Sequence, residues 1–230
     1  MLETFDTGVI ARSLRYLFLD GMAFTIQLTV MAMIGGLILG TILALMRLSS
    51  NAFVAAIATC YVNVVRAVPL VLVIFWFYFL VPYIGAWLTG SGKPVQVGAF
   101  SSSLTTFVMF EAAYYCEIMR AGILSVSPGQ TSAGRALGMR DGQVMASIVL
   151  PQAVRNMLPV LLTQTIVLFQ DVSLVYVLSI TDFVGAAAKV AQRDNRPVEM
   201  YVFVAATYFL LSFGMSRIVG RLQRRMQVVR

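Results

Sequence analysis

Long uncharged runs separated by short charged segments set the pattern of the chain. Residues 1 to 20 open differently: Val9, Ile10, Leu14, Leu17 and Phe18 recur at helical spacing among Glu3, Asp6, Arg12, Arg15 and Asp20. This predicts an amphipathic helix lying on the membrane over residues 1–19. The acidic start and late apolar core argue against a signal peptide. Gly21 to Met46 carries no charge and is long enough to span a bilayer with some tilt. Arg47, Ser49, Ser50 and Asn51 mark a turn. A second helix is predicted from Ala52 to about Leu80, kinked at Pro69, which frees a carbonyl one turn earlier. Gly85 to Gly98 reads as a loop. A third span, Phe100 to Arg120, is less apolar because it holds Glu111 and Glu117. A fourth runs from near Asn156 to Phe169, bent at Pro159. Ser173 to Ile180 is apolar but too short to cross. Asp182, Lys189, Arg193, Asp194 and Arg196 put the next stretch in water, and a fifth span runs from Met200 to about Met215.

One segment breaks the apolar rhythm: Ser127 to Pro151, SPGQTSAGRALGMRDGQVMASIVLP. Ser127 can cap a helix whose first residue is Pro128, and Gln130 completes the S-x-x-Q spacing of a capping box. Pro128 to Leu137 then forms a helix of roughly 15 Å, stopped where Gly138 can adopt a left-handed conformation. A second start follows at Asp141. A short capped helix held outside the membrane between two spans is shaped to be gripped by another protein.

Composition narrows the class. With 230 residues, 59% hydrophobic and 12% charged, the chain reads as an integral membrane protein. The absence of histidine excludes histidine catalysis and histidine metal sites. Cys60 and Cys116 lie in apolar surroundings and read as small buried hydrophobes. No G-x-x-x-x-G-K-[ST] occurs, so ATP cannot be bound through a P-loop. Any active transport must draw energy from a partner or an ion gradient. Gly36 and Gly40 form a G-x-x-x-G, which fits close packing within the chain or a dimer seam.

Charge orients the five spans. With the C-terminal tail inside, the inner segments hold Arg47, Arg120, Arg135, Arg140, Arg155, Arg217, Arg221, Arg224, Arg225 and Arg230. The outer segments hold Arg12, Arg15, Lys93, Lys189, Arg193 and Arg196, offset by Glu3, Asp6, Asp20, Asp182, Asp194 and Glu199. The asymmetry predicts N-terminus out and C-terminus in, with the capped helix on the cytoplasmic side. The +7 net charge is accounted for by that basic face without invoking nucleic acid.

The same residues carry a resemblance. The segment is similar to the EAA loop of ABC-importer permeases: a trio, three residues, Gly, nine residues, then I-x-L-P. Here Ser132, Ala133 and Gly134 form the trio, then come Gly138, Ile148, Leu150 and Pro151. Ser132 replaces the family's Glu and Gly134 its second Ala. The literal Glu111-Ala112-Ala113 is a decoy, because Glu117 stands where Gly should follow. Arg66-Ala67-Val68-Pro69-Leu70 resembles the R-x-x-P-L segment of polar amino acid uptake permeases, the HisM-like family. Ala113-Tyr114, Glu117, Arg120 and Gly122-Ile123 resemble its A-Y-x-x-E-x-x-R-x-G-I segment. Gln170-Asp171-Val172-Ser173-Leu174 resembles K-D-[ST]-S-L, with Gln170 in place of a frequent Lys. The finer resemblance is to glutamate/aspartate importer permeases.

The resemblance implies an all-α, MetI-like type I permease of a bacterial inner membrane. Its transmembrane domain would cover residues 20–220 (coupling loop 127–151), ahead of a basic tail at 221–230. It implies a non-catalytic subunit working with an ABC ATPase dimer that holds ATP and Mg, a second permease subunit (a paralogue rather than a copy), and a periplasmic amino-acid-binding protein. Gln130, Ser132, Ala133, Gly134, Leu137, Gly138 and Met139 would dock the ATPase. Pro69, Glu117, Arg120 and Pro151 are expected structural residues, Glu117 bracing Arg120 one turn on.

An amino acid substrate needs an anion for its ammonium and donors for its carboxylates. Charges within spans are costly and so point to function. Asp171 with Ser173 can supply the former; Arg66, Asn63 and Gln164 can supply the latter. The alternative is that Arg66 and Asp171 pair with each other, or Arg66 with backbone freed at Pro69. Two further functions remain in view, a permease for another polar amino acid and a self-sufficient secondary carrier, although no internal repeat of the carrier type is visible.

Overall fold

A computed structural model describes residues 5–95 and 97–226; Glu3 and Arg230 of the charge comparison lie outside them. Every regular element among the described residues is a helix, with no strand among them. We name the helices α1 (Thr7–Arg47), α2 (Ala52–Ala67), α3 (Leu70–Thr89), α4 (Ala99–Leu124), α5 (Pro128–Ala136), α6 (Asp141–Leu178), α7 (Phe183–Asp194) and α8 (Pro197–Met226). Among them α1, α3, α6 and α8 are long and apolar enough to cross a membrane. At 26 residues α4 has the length but is diluted by Glu111, Glu117 and Arg120.

Several boundaries differ from the sequence expectation. The surface helix expected over residues 1–19 is the opening of α1, a 41-residue helix without a break. Asp6 caps it by accepting from the Gly8 amide at 2.7 Å, and a π-helical stretch, Leu17–Met22, carries it past Gly21. Gly21 does not end the helix. A Cβ there would lie 2.9 Å from Ala186 Cβ, so glycine serves close approach to α7.

Pro69 breaks the second expected helix instead of kinking it. Its ψ of 131° is extended, and its ring disfavours helical backbone at Val68. The Pro69 carbonyl then starts α3 by accepting from the Leu72 amide at 3.0 Å. The α3 helix outlasts the predicted end and stops at Gly90, whose φ of +67° suits a left-handed cap. The fourth span is likewise longer than expected, 38 residues from Asp141. Pro151 sits just after a π-helical stretch, Met145–Val149, which relieves the clash a proline ring makes with the preceding turn. The last span extends to Met226.

Residues 182–196 are the largest correction. In place of a solvated loop, Phe183–Asp194 is an amphipathic helix that buries Phe183, Gly185, Ala186, Ala187, Val190 and Ala191. Lys189 and Arg193 lie on its other face, and Asn195 ends it at a φ of 53°.

The chain divides into two compact units. The first comprises 1–34, 68–108 and 166–215; the second comprises 35–67, 109–165 and 216–230. In the first unit Val9 and Leu17 of α1, Phe169 of α6, Phe183 and Val190 of α7, and Met200 and Val204 of α8 share a core. Leu28, Phe107, Leu168, Val172 and Val175 form another. In the second unit Leu43 and Ala44 of α1, Ala58 and Val62 of α2, and Ala112, Ala113 and Cys116 of α4 pack together. Gly36 and Gly40 serve this core: Cβ atoms there would lie 3.0 Å from Glu111 Cβ and 2.9 Å from Tyr115 Cβ. The G-x-x-x-G is therefore a seam within the chain.

Candidate functional site: the polar loop and the intramembrane charges

The loop after α4 folds as its local signals dictate. Ser127 Oγ accepts from the Gly129 amide at 3.3 Å, and Pro128 occupies the first helical position, where no donor is missed. The capping box expected of Ser127 and Gln130 gives way to this shorter contact; the Gln130 amide instead donates to the Ser127 carbonyl at 3.0 Å. At the other end Gly138, with φ +81°, donates to the Arg135 carbonyl at 2.9 Å, and Met139 donates to the Gly134 carbonyl at 3.2 Å. These two bonds make a Schellman motif and satisfy carbonyls that would otherwise end the helix unpaired. Leu137 is the C-cap, one residue beyond the end of α5.

Gly134 explains one departure from the family pattern. It is the buried residue of α5, and a Cβ there would meet Ile148 Cδ1 at 2.6 Å and Val144 Cγ2 at 3.1 Å. The absent side chain lets α5 lie flush on the start of α6. Val126, Val144, Val149 and Ala153 close the small core beneath, with Ile123, Met139 and Ile148 at its edge. Arg135 Nε donates to Asp141 Oδ1 at 2.9 Å across the turn, and Gln143 accepts from the Arg140 amide at 2.9 Å. The expected docking residues thus divide by face. Gly134 and Met139 pack inward, whereas Gln130, Ser132, Ala133, Leu137 and Gly138 are exposed. Leu137 is 83% exposed, a large apolar side chain on a polar loop. Nothing in the structure explains the serine at 132.

Two expected structural residues anchor the base of this loop. The Glu117 carboxylate joins Arg120 on its own helix and Arg47 at the end of α1. Arg47 is the partner the sequence reading missed, although it ends an uncharged span and needs a counter-ion. Beyond it, Asn156 Nδ2 donates to Ser125 Oγ at 2.8 Å, tying the end of α4 to α6.

The intramembrane candidates are divided between the two units. Asn63, Arg66 and Gln164 belong to the second unit, Asp171 and Ser173 to the first. Arg66 Cζ stands 5.4 Å from the centre of the Tyr114 ring, a cation–π distance. Asn63, one turn earlier on α2, is exposed like Arg66. Gln164 is engaged: its Nε2 lies 3.3 and 3.2 Å from the two carboxylate oxygens of Glu111, which is 1% exposed. Tyr115, one turn after Glu111 on α4, and Thr165, next to Gln164 on α6, bond through their hydroxyls at 3.2 Å. Gln164 thereby links α6 to the buried Glu111 of α4. In the first unit Asp171 and Ser173 are half-buried, and neighbouring Gln170 donates to Ser212 at 3.0 Å.

Asp182, expected in water from its charged neighbours, is instead a second buried carboxylate. Asp182 is fully buried and caps α7, accepting from Val184 at 3.0 Å and Gly185 at 2.8 Å. Burial pushes its pKa up from 3.8 to about 6 against the pull of those amides. An aspartate three residues before a Gly-Ala run was a legible N-cap signal.

Comparison with known proteins agrees with this geometry. Residues 36–228 match the family of binding-protein-dependent transport system inner membrane components. The glutamate/aspartate import permease protein GltK of Escherichia coli O157:H7 is 51% identical over 221 residues, covering 96% of this chain and 98% of that protein. The glutamine transport system permease protein GlnP of Escherichia coli is 27% identical over 93% of this chain and 94% of its own. Among solved structures, an amino acid ABC transporter crystallised with histidines superposes with a TM-score of 0.87 at 31% identity, covering 96% and 99% of the two chains. The MetNI methionine transporter in an inward-facing form shares the fold, with a TM-score of 0.68 at 16% identity over 90% and 96%. A permease architecture built round a capped polar loop, matched along nearly its whole length, places this chain in the family of binding-protein-dependent transport system inner membrane components.

Proposed function

We propose that this chain is a permease subunit of an ATP-driven importer for glutamate and aspartate in a bacterial inner membrane, oriented N-terminus out and C-terminus in. The observation that carries the mechanism is α5: a helix closed at both ends, seated on α6 through Gly134, with Leu137 and Ala133 facing out. Such a helix moves as one body with the base of α4 and α6. An ATPase dimer that grips it, and that holds the ATP and Mg, would transmit its closure as a rocking of the permease pair. The Arg47–Glu117–Arg120 link stiffens the lever at its root. A paralogous permease and a periplasmic binding protein complete the assembly. The substrate rests on the 51% identity to GltK.

Within this reading, the exposed guanidinium of Arg66 on α2 meets a substrate carboxylate, with Asn63 beside it as a donor. The similarity to GlnP supports a second reading, in which the cargo is another polar amino acid.

The test is ATP-dependent uptake of labelled glutamate by proteoliposomes holding the complex that co-purifies with this chain. Gly138→Asp puts a side chain at a φ of +81°, where L residues are strained, and should abolish uptake while binding-protein loading persists. Uptake without ATP or any partner would overturn the reading in favour of a secondary carrier. Glutamine competing as well as glutamate would move the substrate to the second reading.

A further inference from the structure

The final turns of α8 are an amphipathic basic helix that the transport reading leaves unused. After Glu199 the chain has no Asp or Glu, yet Arg217, Arg221, Arg224 and Arg225 follow in close succession. At 3.6 residues per turn these four fall within an arc of about 100°. Ile218, Val219, Leu222 and Met226 occupy the adjoining arc, and Ile218 is 65% exposed. Arg221, Arg224 and Arg225 are all exposed and have no ion-pair or hydrogen-bond partner among the described residues. Arg217 makes an interaction within the chain. The helix runs on from its apolar stretch into this stripe without a break.

We infer that this stripe binds the headgroups of anionic phospholipids at the cytoplasmic face, an inference that rests on the proposed inward C-terminus. The geometry carries it. Arg221, Arg224 and Arg225 lie about 6, 10 and 12 Å along the axis beyond Arg217. An interfacial layer is roughly 5–8 Å deep, and an arginine stem is long enough to snorkel back into it. Phosphate accepts two parallel N–H bonds from guanidinium, which makes arginine the suited side chain. The flanking apolar arc gives the helix a face to set against acyl chains while the basic arc meets phosphates. Uncompensated charges, one-sided placement and direct continuity with a span together favour the lipid surface over a soluble acidic partner.

The experiment titrates tail-labelled phosphatidylglycerol, and phosphatidylcholine as control, into the purified permease–ATPase complex in detergent, read by fluorescence anisotropy. Wild type should prefer phosphatidylglycerol, and the preference should shrink with salt. At about fivefold per arginine near an anionic surface, the variant R221Q/R224Q/R225Q should lose at least tenfold of it. The corresponding triple lysine variant, which keeps the charge, should retain most of it. An unchanged preference in the glutamine variant overturns the inference. So does loss of the ATPase from that variant in lipid-free detergent, which would give the arginines to a protein partner. Glutamate uptake by wild-type proteoliposomes, run in parallel, separates the two readings, since its failure strikes the transport proposal and leaves the lipid measurement standing.

Discussion

Gly134 is the position where a single added side chain should disconnect the loop helix from the membrane helices. In Gly134→Val the Cβ alone would sit 2.6 Å from Ile148 Cδ1 and 3.1 Å from Val144 Cγ2. Carbon atoms rest about 3.5–4.0 Å apart, so Ile148 must retreat by about 1 Å before the two valine methyls are placed. Overpacking of this kind costs about 1–3 kcal/mol, and the better helix propensity of valine returns only a few tenths. The net loosening is about 2 kcal/mol, or roughly 30-fold in the local opening equilibrium. Hydrogen–deuterium exchange over residues 128–149 of the assembled complex reads it. The Gly138 and Met139 amides, which close the helix on Arg135 and Gly134, should exchange faster by that factor. Ile148→Ala removes the colliding atoms, so G134V/I148A should recover at least about 1 kcal/mol relative to the sum of the single changes. Exchange in Gly134→Val equal to wild type, or strict additivity in the cycle, would refute the seating of α5 on α6 through this glycine.

Three further outcomes follow from buried polar groups. With its pKa raised to about 6, folded Asp182 keeps a proton that the unfolded chain releases near 3.8, so its contribution to stability is full at low pH and is lost as pH climbs to about 6. Asp182→Asn keeps a capping acceptor and should erase that fall, up to about 3 kcal/mol, in thermal unfolding scanned from pH 4 to 7. Glu117→Gln should cost about 2 kcal/mol by leaving two partly buried guanidiniums without their anion, and a cycle with Arg47→Gln should be far from additive. Gln164→Leu takes a donor from buried Glu111 and should lower the thermal midpoint of the complex by the equivalent of about 1–3 kcal/mol. If that variant kept wild-type stability and lost glutamate affinity instead, Gln164 would belong to the substrate path.

What was legible in the sequence was what local chemistry decides. Ser127, Pro128 and Gly138 mark the ends of α5 because caps act over four residues, and the family spacing fixed the same segment independently. The spans were legible as uncharged runs, but their ends were not. Arg217 does not stop α8, since an exposed charge is compatible with a helix that leaves the membrane. Pro69 was legible as a disturbance; that it separates two helices depends on ψ, which no residue type fixes alone. The α7 helix was hidden by its charges. Lys189, Arg193 and Asp194 suggested water, while the phase of Phe183, Ala186, Ala187 and Val190 already described one buried face. Arg47 and Asp182 were missed because their roles come from partners distant in sequence or from burial.

The two glutamate-alanine-alanine positions allow a direct test of whether spacing or literal sequence identifies the docking loop. Glu111, Ala112 and Ala113 match the family letters, yet they are 1%, 0% and 0% exposed, packed against Gly36 and Gly40 in the interior of α4. No partner can grip side chains so placed. Ser132 and Ala133 match only by position, and they are exposed on a helix outside the apolar runs. In a background with Cys60 and Cys116 replaced by serine and alanine, Ser132→Cys is nearly isosteric and Glu111→Cys reduces volume, so neither overpacks its site. A membrane-impermeant maleimide applied to the cytoplasmic face should label Ser132→Cys rapidly, and the bound ATPase should protect it. Glu111→Cys should stay unlabelled with or without the ATPase. Equal labelling of both, or labelling of Ser132→Cys only from the outer face, would refute the placement of the loop on which the coupling mechanism depends.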